Sequence, residues 1–81
     1  MLLSAQQVKQ AMILDVVGVK TALGLPEYET NGIKGSRFVG LNDASEFVYE
    51  ILYTDAEGSV ESMETGRVFI RWHDHTLVGD F

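Results

Sequence analysis

The sequence predicts an α+β fold in which one N-terminal helix packs on a four- to five-stranded antiparallel sheet. Residues 4–24 carry apolar side chains at helical spacing. Most of the chain after residue 36 is rich in the β-branched and aromatic residues that favour strands. The 81 residues leave room for a single domain spanning 1–81. Because the chain has no cysteine, neither a disulfide nor a thiol nucleophile is available.

The predicted helix begins at Ser4, which forms a capping-box pattern with Gln7 three residues later. Gly24, followed by Pro26, predicts where the helix ends. One apolar stripe runs along the helix and is expected to face the sheet. It consists of Ala5, Val8, Ala11, Met12, Val16, Val19, Ala22 and Leu23.

Three residues of the helix do not suit a single core stripe. Asp15 lies within the stripe, and we expect it at the rim of the core because an unpaired buried carboxylate is costly. Pairing with Arg67 or Arg71 is the alternative. Ile13 and Val17 form a second apolar strip outside the stripe. A helix on a sheet needs only one apolar face, so this strip predicts contact with a second chain in a homodimer.

The remainder of the chain predicts an antiparallel meander. Asn31-Gly32 is a hairpin signal between a short strand near Tyr28 and one that begins near Ile33. Residues 44–54 favour a strand by composition, although their apolar spacing also fits a helix, and that alternative stays open. Residues 54–58 are expected to form a hairpin loop, residues 59–65 a weaker strand and residues 66–72 a strong one.

Charge patterning predicts what kind of partner the protein binds. The formal net charge is −6, and no Lys or Arg occurs between Asp43 and Glu64. This pattern argues against direct nucleic-acid binding, which needs a basic surface, and favours a basic or mixed protein partner. The partner surface is predicted as an acidic sheet face flanked by tyrosines. It comprises Glu46, Tyr49, Glu50, Tyr53, Glu61 and Glu64. For both tyrosines the alternative is a place at the edge of the core.

His73 and His75 are the candidate metal ligands. On a strand their side chains share one face, about 6–7 Å apart. A zinc site needs three or four protein ligands, and no convincing third is evident. The alternative is that Asp74-His75 forms the tip of a turn. We therefore expect no metal site and no cofactor, with a site at His73 and His75 as the weaker alternative.

These observations predict a non-catalytic protein-binding module, such as a small regulator or inhibitor. No serine lies in a G-x-S-x-G context, so the sequence offers no nucleophile motif. The alternative is a metal- or small-ligand-binding domain that uses His73 and His75. Without an apolar run of membrane-spanning length or a secretory signal pattern, a cytoplasmic location is expected. By analogy, small acidic proteins of this kind are frequent among mobile-element products.

Overall fold

The computed structural model describes residues 3–24, 32–54 and 60–80. Two helices precede an antiparallel meander with strand order β1-β2-β3-β4. The elements are α1 (Ala5–Met12), α2 (Val16–Leu23), β1 (Ile33–Leu41), β2 (Phe47–Tyr53), β3 (Glu64–His73) and β4 (Thr76–Asp80). The predicted α+β class and antiparallel sheet are confirmed. None of the described helices is long and apolar enough to cross a membrane.

Within the ambiguous segment 44–54, residues Phe47–Tyr53 form a strand, so the helical alternative is wrong. β2 pairs with β1 on one side and with β3 on the other. The weak strand predicted for 59–65 is also wrong, because a 3₁₀ turn occupies Val60–Ser62 and β3 begins only at Glu64. The sheet formed by the described residues therefore has four strands. The predicted strand near Tyr28, Asn31 of the predicted hairpin and most of the 54–58 loop lie outside the described residues.

Alternate side chains of β2 and β3 form the buried face of the sheet. Strand periodicity places Phe47, Tyr49 and Ile51 on this face, together with Val68 and Ile70 of β3. α2 lies closest to the two edge strands, β1 and β4. The helices contribute Ala11, Val19 and Ala22 to the same core.

The single predicted helix is interrupted at residues 13–15. α1 is capped at its C-terminus by Ile13, and Asp15 is the N-cap of α2. The Asp15 carboxylate accepts a hydrogen bond from the Gly18 amide at 2.8 Å. Asp15 is exposed, but its role is to cap α2 and not to occupy a rim position on a continuous stripe. Ser4 and Gln7 form the predicted capping box at the start of α1.

A tyrosine of the sheet satisfies the backbone groups at this interruption. The Tyr49 hydroxyl donates to the Ala11 carbonyl at 2.6 Å and accepts from the Leu14 amide at 2.9 Å. In a continuous helix, these groups would pair with the Asp15 amide and the Gln10 carbonyl. Tyr49 thus replaces two hydrogen bonds that the helix loses where it breaks.

Candidate functional site

Tyr49 does not lie on the predicted partner surface. Its exposed fraction is 0%, and its hydroxyl is held by the helix backbone. The alternative of a core position is the one that the structure shows. Tyr53, by contrast, is half-buried at the end of β2, and its hydroxyl donates to Glu64 Oε2 at 3.0 Å. This hydrogen bond and the carboxylate charge raise the pKa of Tyr53.

The predicted acids do not share one face of the sheet. Glu46 precedes β2 and accepts a hydrogen bond from the Asn42 side chain in the β1–β2 turn. Glu50 points away from the helices, whereas Glu64 lies on the helix side of the sheet, in register with Tyr53. Glu61 is on the 3₁₀ turn. Strand alternation separates residues that lie close together in the sequence, so the expectation of a single acidic face is wrong.

The sheet face opposite the helices, hereafter the outer face, is not covered by any described helix. Pairing register and strand alternation define its members. They are Arg37 from β1, Val48, Glu50 and Leu52 from β2, Thr65, Arg67, Phe69, Arg71 and His73 from β3, and Thr76, Val78 and Asp80 from β4. The outer face therefore combines apolar, acidic and basic side chains.

Charges on the outer face alternate across three neighbouring strands. Glu50 is in register with Arg37 on one side and with Arg67 on the other. Its Oε1 atom lies 3.0 Å from Nε and from Nη2 of Arg37. The negative charge of Glu50 is thus already engaged. Among the described residues, Arg67 and Arg71 form no ion pair.

β3 places an aromatic ring between these two arginines. Arg67, Phe69 and Arg71 alternate along the strand and share the outer face; we call them the arginine stripe. Both arginines are exposed and Phe69 is half-buried. Val48 lies beside Phe69 in register and is only 5% exposed. Such a surface offers an apolar centre with planar guanidinium donors on either side, which suits a carboxylate-bearing partner.

The histidines do not converge on one face. β3 ends at His73, and Asp74 and His75 form the two-residue turn to Thr76. Both turn residues have positive φ, 48° and 67°, as a type I′ turn requires. The expectation that His73 and His75 share a strand face is therefore wrong, and the turn alternative is what the structure shows. No cluster of three or more metal-ligating side chains occurs in the described ranges.

The second apolar strip of the helical region is exposed. Ile13 and Val17 each keep 68% of their surface exposed, and the neighbouring Met12 keeps 40%. These residues surround the interruption between α1 and α2. Their position outside the core agrees with the sequence pattern, and contact with a second chain stays a prediction.

Sequence reasoning missed the arginine stripe as a candidate site. Strand alternation already put Arg67, Phe69 and Arg71 on one face, but the cross-strand partner of Glu50 requires the register. A net charge of −6 also suggests that acidic residues form the interface, and it gives no indication of an arginine-containing one. Comparison with protein-family models, curated proteins and solved structures found no match.

Proposed function

We propose that this protein is a non-catalytic protein-binding module and that its outer face receives a partner segment of mixed charge. The arginine stripe carries this proposal. Arginine and aromatic side chains are enriched among the residues that dominate protein interfaces. Arg67 and Arg71 flank Phe69 on a sheet face that no described helix covers. Carboxylates of the partner pair with the two guanidinium groups, and apolar side chains pack on the ring.

Charge distribution favours a mixed partner over a purely basic one. Glu50 is bound by Arg37 on the outer face, and Glu64 lies on the other side of the sheet. Asp80, which is in register with Phe69, places an exposed carboxylate beside Arg67 and Arg71, so the outer face presents both charges at close range and suits a partner of mixed charge. The net negative charge of the whole chain still orients the encounter, because long-range fields depend on total charge. The outer face then selects the partner at close range.

The experiment compares three baits in a cytoplasmic extract of the source organism. These are the natural sequence, an Arg67→Glu, Arg71→Glu variant, and a Glu61→Lys, Glu64→Lys variant as the matched charge-reversal control. All four positions are exposed, so each substitution is expected to change stability by only about 0.5 kcal/mol. Captured proteins are identified by mass spectrometry, and hydrogen exchange locates the protected strands.

We expect the arginine reversals to abolish capture and the glutamate reversals to preserve it, with protection in β2 and β3. Capture lost only with the Glu61→Lys, Glu64→Lys variant would instead assign binding to the surface around Glu61 and Glu64, where β3 begins. Capture that survives both double variants would reject the outer face as the interface.

A further inference from the structure

The interruption between α1 and α2 separates two segments that follow one helical pattern. Ala11 in α1, and Val19 and Ala22 in α2, are all buried against the same side of the sheet. The three residues between the helices contain neither proline nor glycine. The break therefore has no local covalent cause. It depends on hydrogen bonds, namely those of the Tyr49 hydroxyl and the local cap formed by Asp15.

Gly18 makes room for the broken form. A Cβ atom at this position would lie 2.9 Å from Cδ2 and 3.3 Å from Cβ of Leu14. Leu14 therefore folds back over the first turn of α2 and rests against a residue without a side chain. In a continuous helix a glycine here weakens the helix relative to alanine. Gly18 therefore favours the broken form in two ways, because it leaves space for Leu14 and because it weakens a continuous helix.

Exposed apolar side chains concentrate at the same place. Met12, Ile13 and Val17 are exposed within a stretch of six residues. None of them serves the core in the broken form, and Ile13 and Val17 are one helical turn apart. A straightened helix would present these two on one side, away from the residues that face the sheet.

We propose that α1 exchanges between two copies of this chain, with residues 5–23 straightened into one helix of about 28 Å. The second copy is the occupant because it already carries the complete docking site for α1. The Trp72 indole donates to the Gln7 carbonyl at 3.0 Å, and Tyr49 binds the Ala11 carbonyl. Exchange forms the Trp72 contact between chains, as domain swapping through a short hinge does. In the straightened helix the Leu14 amide pairs with the Gln10 carbonyl. The Ala11 carbonyl accepts from the Asp15 amide, while its second lone pair can still accept from Tyr49 of the other copy.

Ile13 and Val17 then meet their counterparts where the two straightened helices leave their own sheets. The exchange thus assigns a contact to the exposed strip that the broken form leaves without one. Leu14 and Asp15 become ordinary helical residues in the exchanged form. The equilibrium between the two forms depends on the difference in free energy between the broken and the helical conformation of residues 13–15.

Two opposed substitutions test the exchange by sedimentation velocity between about 1 and 200 μM. Gly18→Ala crowds Leu14 in the broken form and favours a continuous helix, so it should strengthen dimerisation about tenfold or more. Val16→Pro should give a monomer, because proline suits the first position of α2 and is excluded from the middle of a helix. Asp15 has the extended conformation that a residue before proline prefers.

A second measurement distinguishes exchange from simple face-to-face contact. Dimers assembled from one isotope-labelled and one unlabelled chain are examined for filtered NOEs from the indole of Trp72, the only tryptophan. Exchange places the α1 protons of the other chain beside this indole. If Gly18→Ala prevents folding, Asp15→Ala takes its place, since it removes the α2 cap and favours a continuous helix.

Stronger dimerisation with Gly18→Ala, a monomer with Val16→Pro and NOEs between chains would together support the exchange. Dimers that persist with Val16→Pro would overturn it, and so would dimers whose Trp72 NOEs stay within one chain. A folded Gly18→Ala or Asp15→Ala variant that remains monomeric at about 200 μM would overturn it as well.

Discussion

Replacing Tyr49 with phenylalanine removes one oxygen atom and leaves two backbone groups without their partner. These groups are the carbonyl of Ala11, a residue with no exposed surface, and the part-buried amide of Leu14. A buried polar group left unsatisfied costs about 1–3 kcal/mol. The Leu14 amide belongs at the low end of that range, so we expect the variant to lose about 2–4 kcal/mol of unfolding free energy.

This loss is large for the protein. A domain of 81 residues has an unfolding free energy of roughly 4–12 kcal/mol. The assay is urea denaturation followed by Trp72 fluorescence at a low protein concentration, because dilution disfavours any association between chains. The matched control is Tyr53→Phe, which removes only an exposed hydrogen bond to Glu64 and should cost no more than about 0.5 kcal/mol. Equal stabilities for the two variants would refute the role assigned to the Tyr49 hydroxyl.

The same hydroxyl makes stability depend on alkaline pH. Burial raises the pKa of Tyr49, and the hydrogen bond from the Leu14 amide lowers it by less. The unfolded chain therefore ionises first, at about pH 10, and the unfolding free energy falls from there by at most about 1.4 kcal/mol per pH unit. The fall ends once the folded hydroxyl ionises too. Because Tyr49→Phe lacks this group, its stability deficit should narrow between pH 9 and 11.

Three further outcomes are expected from single changes elsewhere. His75→Gly should raise the unfolding free energy by about 0.5–1 kcal/mol in urea denaturation, because glycine adopts the φ of 67° without strain. Gly79→Ala should lower it by about 1–3 kcal/mol, since the new Cβ would lie 3.3 Å from Leu23 Cδ2 and 3.1 Å from Ile70 Cγ1. Zinc should leave the Tm unchanged, and a zinc-induced increase that a His73→Ala, His75→Ala variant abolishes would contradict the geometry of the turn.

Local patterns predicted most of the secondary structure. The capping box at Ser4 and the left-handed Gly24 after α2 follow directly from residue type. The strand at residues 47–53 follows from its β-branched and aromatic content. Each of these features depends on residues that are neighbours in the sequence.

The break in the helix was not predictable in this way. Its stabilising contact comes from Tyr49, which lies 35 residues beyond Leu14, and the apolar periodicity gives no sign of it. The outer face likewise has features that follow from neighbouring residues and features that depend on the fold. Strand alternation located Arg67 and Arg71, whereas the engagement of Glu50 by Arg37 depends on a strand register that composition does not determine.

The hydrogen bond between Trp72 and Gln7 joins residues 65 positions apart, and this separation sets an order of events during synthesis. α1 leaves the ribosome well before its partner on β3, because Trp72 is made 65 residues after Gln7. A helix of eight residues is only marginally stable by itself. α1 must therefore remain undocked until β3 has emerged, so during translation its apolar side chains are accessible to chaperones and to other nascent copies.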